Sequence, residues 1–397
     1  MTRRTYNVLM VAPTPFFADY GCHVRIAEEA KFLTSSGNRV YIVTYHDGRD
    51  IPGFSIERVS WGDGVLVGSS ASLKYKLISD FLLFFKSLRI ALRQKIDVIH
   101  AHLHEGALIG YVVGKILGAP VVFDFQGSLT DEMVNHRFLR PEGPFFRAMR
   151  ALEWLIDHMP NAIIASSEHA AELLKKEFGC NPSKIHIVPD CVNPNSFTPG
   201  VLNEEERLSL KARLGIPLKS KLVVYLGLLA EYQGTSILLQ AAEEIAKSRP
   251  DVHFLIMGYP GEELYRGLAA QLGIADRTTF TGRIPYEEAP RYLALGDVAV
   301  APKLSATEGS GKILNYMAMS LPTVAFDTPV SYEYLGELGV YAESGNPKAL
   351  AEAISSLLDD EERAIELGMK LREKAVEVYS WEEAVERIVG IYSEICE

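Results

Sequence analysis

Three short stretches of this chain carry residue types that could do chemistry. His100, His102 and His104 fall within five residues and run into Glu105 and Gly106. One histidine at a strand end is most often structural, but three so close together point to a site. A metal is one reading of such a cluster. No Cys or Asp nearby completes a recognisable ligand set, so the expectation is no metal. Asp124, Gln126 and Ser128 follow the apolar run Val121-Val122-Phe123, with polar groups placed to meet a ligand or to hold one another in a buried network. The third stretch is Glu308-Gly309-Ser310-Gly311-Lys312. It reads as a flexible turn entering a helix, with Ile313, Leu314, Met317 and Ala318 on a buried side and Leu321-Pro322 as its end. Amides freed by a Gly-Ser-Gly turn at a helix start suit a phosphate or a sugar hydroxyl. Glu308, just before it, can accept hydrogen bonds from sugar hydroxyls, and Lys312 offers a cation beside the helix start.

The elements that must position these residues read as α/β. Asn7 to Ala12 is a nearly continuous apolar run, as in a strand buried on both faces of a parallel sheet. A loop, a helix from Cys22 to Ser35 and a strand from Arg39 to Thr44 follow. Further strands are expected at Asp97 to Ala101, Val121 to Phe125, Ala162 to Ala165 and Ile185 to Val188, with a helix from Ala107 to Leu117. The pattern pauses near Val192, and Pro199 to Arg207 reads as a charged linker. A second series then begins, with strands at Lys221 to Gly227, Val252 to Met257, Thr278 to Thr281, Val298 to Ala301 and Thr323 to Phe326. Two such series predict two Rossmann-like domains facing a central cleft. The expected boundaries are 1–193 and 194–380, with a last helix, 381–397, returning to the first domain.

At 397 residues the chain is long enough for two domains, and 48% hydrophobic content supports sizeable cores. A net charge of -11 argues against general nucleic-acid binding. The four cysteines are far apart and fit a reducing compartment, and no apolar run is long enough to span a membrane. A cytoplasmic protein is expected. Lys74 to Lys95 runs against the overall charge, with Leu77, Phe81, Phe84, Phe85, Leu88 and Leu92 on one helical side and Lys86, Arg89 and Arg93 as a basic stripe. The preferred reading is a core-facing helix with a solvated face; the other is a helix lying on the inner face of a membrane.

Taken together, these motifs resemble the GT-B-fold retaining glycosyltransferases of family 4. The resemblance rests on Tyr20-Gly21-Cys22-His23, Asp97 to His102, Ser167 to Leu174, Val188 to Asn193, Leu226-Gly227 with Gln233-Gly234, Phe280 to Ile284, Glu308 to Pro322 and Tyr379-Ser380-Trp381. It implies an acceptor site mostly in the first domain and a nucleotide-sugar site mostly in the second, with no metal and no cofactor. His102 would contact the donor sugar near the reacting carbon. His104, Asp124, Gln126 and Ser128 would face the acceptor. The Gly21 loop would approach the donor phosphate or the acceptor, and Arg283-Ile284 would hold the base. Gly309, Ser310, Gly311 and Lys312 would hold the phosphates.

The sequence also departs from the pattern. The family usually has Gly-Arg-Leu and then Lys-Gly on the first loop of the second domain, and those cations grip the diphosphate. Here the residues are Gly227-Leu228-Leu229 and Gln233-Gly234. Arg283, Lys303 and Lys312 are the available replacements. Of the family's paired glutamates, the first falls at Thr307, next to Glu308, and Asn315 takes the second place, at the ribose. The expected activity is transfer of a sugar from a nucleoside diphosphate to an acceptor hydroxyl with the α configuration kept. The acceptor would be carbohydrate, lipid-linked or small. The alternatives are a nucleotide-sugar epimerase and a non-catalytic binding subunit.

Overall fold

The computed structural model describes residues 4–19, 21–60, 73–135, 138–141, 143–304 and 309–397. The chain divides into two compact units. The first holds Met1–Pro189 and Trp381–Glu397; the second holds most of Asp190–Ser380.

The first unit is built on seven parallel strands: β1 (Asn7–Ala12), β2 (Arg39–Thr44), β3 (Ser55–Arg58), β4 (Val98–His102), β5 (Val121–Phe125), β6 (Ala162–Ala165) and β7 (Ile185–Ile187). Their order is β3-β2-β1-β4-β5-β6-β7. The sheet therefore reverses direction of growth between β1 and β4, and ligands of open α/β sheets bind beyond the strand ends at such a point. β4 and β5 are buried along their whole length. Helices α1 (Gly21–Ser35), α2 (Leu73–Gln94), α3 (Leu103–Leu117), α4 (Leu129–Asn135) and α5 (Pro144–Asp157) follow in chain order. The helix Trp381–Ile395 belongs to this unit and packs on α1, burying Trp381, Ile388 and Tyr392.

The second unit repeats the plan with β8 (Lys221–Leu226), β9 (Val252–Met257), β10 (Thr278–Gly282), β11 (Val298–Ala301), β12 (Thr323–Phe326) and β13 (Val340–Ala342). All are parallel, in the order β10-β9-β8-β11-β12-β13, so here the reversal lies between β8 and β11. Tyr316 ties those two strand ends together: its hydroxyl receives the Leu226 amide at 2.8 Å and lies 3.3 Å from the Val300 carbonyl.

Two expectations change. Pro199 to Arg207 is no linker: Glu204–Arg213 is a helix opened by a reciprocal capping box between Asn203 and Glu206. The charged run belongs to that helix's solvent face, and Phe197 just before it is buried in the second unit's core. In α2 only part of the expected apolar side is turned to the core, where Phe84 and Leu88 pack. Tyr75, Ser79, Leu83, Ser87 and Ile90 are buried, while Leu77, Phe81, Phe85 and Leu92 are 61%, 63%, 51% and 62% exposed. Leu77, Phe81, Phe85 and Leu92, four of the six apolar residues expected on one side, are left outside.

Candidate active site

The end of β4 opens into a buried polar network. His102 sits on the last residue of the strand, directly across from Asp124 on β5. Its Nδ1 lies 3.0 Å from Asp124 Oδ2. An ionised carboxylate can only accept, so Nδ1 carries the proton. Arg25 of α1 closes on the same carboxylate from Nε and Nη2 at 2.8–3.1 Å. Gln126 donates to it at 2.7 Å. Arg25 also lies 3.2 Å from Glu29 and donates to the Val188 carbonyl at 3.1 Å. Burial pushes the Asp124 carboxyl up, but the charge of Arg25 and the hydrogen bond from His102 outweigh it and hold it well below the usual carboxylate range. His100 stacks on His102, with centroids 4.8 Å apart, and its Nδ1 is 2.6 Å from the Tyr392 hydroxyl. Burial, then the neighbouring His102, pulls the His100 pKa well below its ordinary value.

His104 departs from this network. Leu103, between β4 and α3, has a left-handed backbone (φ 59°), which swings the chain off the sheet. His104 therefore lies against Phe123, Phe125, Glu153 and Asp157 instead of beside His102. Ser128 is held inward by Thr130 and Arg150. Gly21 is the first residue of α1, and the space where a side chain would start is open.

In the second unit the loops after β8 and β11 meet closely. A Cβ on Gly234 would lie 1.9 Å from the Pro302 carbonyl, so only glycine fits. Lys312, in the first turn of the helix Gly311–Ala318, reaches into this junction. Its Nζ donates to Gln233 Oε1 at 2.8 Å and to the Tyr225 hydroxyl at 3.2 Å. The ammonium position lies 4.3 Å from the Tyr225 ring centroid, and a Cβ on Gly227 would be 2.6 Å from it. Burial, reinforced by the charge of Lys303, pulls the Lys312 pKa well below its ordinary value. Ser310 caps the helix without a side-chain hydrogen bond, and its buried hydroxyl has no partner. The Ile313 amide bonds back to the Ser310 carbonyl at 2.9 Å, and the Gly311 and Lys312 amides before it have no acceptor within the helix. A lysine amine, a loose hydroxyl and the first amides of a helix thus converge beyond the sheet's reversal point, which is an arrangement that suits a phosphate.

The two halves match two family models in the same order: "Glycosyltransferase Family 4" over residues 21–196 and "Glycosyl transferases group 1" over 220–360. The chain belongs to the family 4 glycosyltransferases. Relatives of this glycosyltransferase include a D-inositol 3-phosphate glycosyltransferase of Acidothermus cellulolyticus, 28% identical over 94% of this chain and 85% of the relative. One of the same name from Corynebacterium efficiens is 27% identical over 75% and 71%. Solved structures with the same fold include sucrose-phosphate synthase of Thermosynechococcus elongatus (TM-score 0.81, 18% identity, covering 98% of this chain and 99% of that one). Anabaena HepE, solved with UDP-glucose, has a TM-score of 0.79 at 16% identity and covers 98% of this chain and 100% of that one. The fold is GT-B, and the protein is an enzyme rather than a non-catalytic subunit.

Within this glycosyltransferase, Gly227, Gln233, Lys312, Ser310 and Gly311 come together, with Asn315 buried one turn further along the same helix. Gly309 leads into that helix. Glu308 lies outside the described residues. Arg283 is exposed and set over the Tyr259 ring at 5.2 Å, while Ile284 packs on the core. His102 is fully buried, with its ring on the Asp124 carboxylate. The sequence reading missed Arg25, Glu29, Tyr225 and Tyr392. Arg25 and Glu29 did leave a signal, a charged pair one turn apart on the apolar side of α1. No Cys or Asp near the histidines in sequence completes a ligand set; folding brings Glu29 and Asp124 to His100 and His102, and Glu153 and Asp157 to His104.

Proposed function

We propose that the enzyme takes its sugar from a nucleoside diphosphate and joins it, with retention and so as an α-glycoside, to an acceptor hydroxyl. The observation that carries this reading is the position of Lys312. Its ammonium stands on Gln233, at the point where family members place a lysine side chain of their own. The cation has moved to the facing helix and serves the same diphosphate. As the bond between the anomeric carbon and the phosphate oxygen breaks, its electron pair stays on that oxygen. Lys312 and the amides at Gly311 meet the growing charge. The acceptor oxygen bonds to the anomeric carbon on the face the phosphate leaves, and the acceptor's proton passes to the departing phosphate. Glu308 would hold sugar hydroxyls, Asn315 the ribose and Arg283-Ile284 the base. Gln126 would face the acceptor, a carbohydrate, lipid-linked or small polar molecule, with Ser128 buried behind it. His102 is a positioning residue that orients Asp124 and, through it, Gln126. The names of the curated relatives and the nucleotide sugar bound to HepE support a nucleotide-sugar donor.

The outward face of α2, with Leu77, Phe81, Phe85 and Leu92 beside Lys86, Arg89 and Arg93, suits an anionic lipid surface that would present the acceptor. Among the described residues no helix is long and apolar enough to cross a membrane.

A thermal-shift screen of nucleoside diphosphates and their sugar conjugates tests the donor, since a ligand of the native state raises its melting temperature. One conjugate should stabilise selectively and then be consumed with an acceptor to give an α-linked product by NMR. A flat screen, or a β-linked product, would overturn this reading.

A further inference from the structure

The second buried cluster of the first unit has no place in the transfer reaction. His104 Nε2 lies 3.4 Å from Asp157 Oδ1 and 3.7 Å from Glu153 Oε1. Glu153 and Asp157 are one turn apart on α5 and so share a face. All three residues are sealed in, at 4%, 0% and 2% exposure. The ring of His104 stands edge-on to Phe123 and Phe125, at centroid distances of 5.1 and 5.5 Å. His104 Nε2 and both carboxylate oxygens of Asp157 make no hydrogen bond. Leaving such atoms unpaired in an apolar wall is costly, and more so for a charge.

The spacings discriminate between explanations. Hydrogen-bonded pairs of these atoms sit nearer about 2.7–3.0 Å. Two donors held ~2.1 Å from one tetrahedral ion are separated by about 3.4 Å. The remaining atoms also fit. Glu153 Oε1 accepts the Leu129 amide at 2.9 Å and keeps a second lone pair. Its other oxygen is taken by the Thr130 amide and hydroxyl, with Arg150 at 3.6 Å. Burial raises the Asp157 carboxyl pKa by more than His104 lowers it. The neighbouring cluster of Glu29, His100, His102 and Asp124 differs, because the Arg25 guanidinium already lies between its two carboxylates.

We propose that His104, Glu153 and Asp157 bind one divalent transition-metal ion, zinc by preference, through Nε2, Oε1 and Oδ1. One imidazole and two carboxylates form a donor set that zinc accepts, whereas calcium and magnesium favour all-oxygen shells of six or more. The ion is a staple. It fastens the start of α3 to α5. Through the Glu153 contacts with Leu129 and Thr130 it also steadies the start of α4, next to Gln126 and Ser128. Protonation of His104 is the rival way to balance the charge. Burial alone would lower the His104 pKa, but the neighbouring carboxylates, Asp157 first, then Glu153 and Glu105, raise it.

The test uses the full chain without an affinity tag, stripped with chelator and titrated with zinc chloride. Elemental analysis after gel filtration should find one zinc per chain, and the melting temperature should rise with zinc. Cobalt substitution should give the visible bands of a tetrahedral site. Asp157→Asn keeps the side-chain shape and should weaken zinc binding at least ~10-fold, with loss of the bands; His104→Gln should do the same. No zinc uptake by the stripped wild type would overturn the proposal in favour of the His104–Asp157 ion pair. Uptake equal in wild type and Asp157→Asn would overturn it as well, since the metal would then lie elsewhere.

Discussion

Lys312 Nζ and Gln233 Oε1 are 2.8 Å apart although 79 residues separate them in the chain. The loop on which the family pattern has a lysine carries an amide oxygen here, and a lysine from the facing helix reaches it. This makes charge location testable apart from charge itself. Lys312→Met should lower kcat/KM by about 10²–10³-fold, the scale of losing one preorganised donor at a developing oxyanion. The double variant Gln233→Lys, Lys312→Gln should recover part of that loss. A double variant as inactive as Lys312→Met would show that the two positions are not equivalent.

Donor binding should take up a proton. Burial and Lys303 hold the Lys312 pKa well below its ordinary value in the free enzyme. A diphosphate beside the amine favours the charged form and raises that pKa. Between the lowered free value and the raised bound value, the complex holds more protons than its parts, so affinity increases as pH falls through that window. Calorimetry in two buffers of different ionisation enthalpy should show uptake in wild type and less in Lys312→Met. Identical apparent enthalpies in both buffers for the wild type would remove the lowered amine from the account.

The Arg25–Asp124 pair should be needed for folding as well as for orienting Gln126. Both groups are fully buried, and removing one leaves the other charge unpaired, at a cost of about 3–5 kcal/mol. Arg25→Met is expected to lower the urea midpoint accordingly. Because the folded-state pKa of Asp124 is depressed, its contribution is present above the unfolded value, ~3.9, and is lost as pH falls below it. Urea titrations between pH 6 and pH 3 should show a steeper loss in wild type than in Asp124→Asn.

His102→Ala should reduce turnover sharply while the fold survives. As a positioning residue, His102 should affect the acceptor side more than the donor side. The acceptor KM is expected to rise while nucleotide affinity measured by thermal shift stays near wild type. Unchanged turnover would take His102 out of the mechanism.

Phe81→Glu with Phe85→Glu changes only exposed positions of α2, so melting should be nearly unaffected. Co-sedimentation with phosphatidylglycerol vesicles should be lost in this variant and weakened by salt in wild type. Binding of neither form to such vesicles, with capture of a protein instead, would assign the face to a protein partner.

The linear order of residues was enough to determine the two parallel sheets and the place of the glycine turn at Gly309-Ser310-Gly311. Buried strands write themselves as local apolar runs such as Asn7–Ala12 and Val252–Met257, and the turn as glycines beside a helix pattern. It also exposed the missing cations at Leu228 and Gln233. The short edge strands Ser55–Arg58 and Val340–Ala342 left too weak a pattern to be read. How the apolar stripe of α2 divides between core and surface is not legible in the sequence, because periodicity reports that a helix has two sides and not how each one fits its neighbours. Only the tertiary structure decided the pairings: Arg25 with Asp124, His104 with Asp157, Lys312 with Gln233. A buried charge must find its partner in space, and the partner's position in the chain carries no local signal of that meeting.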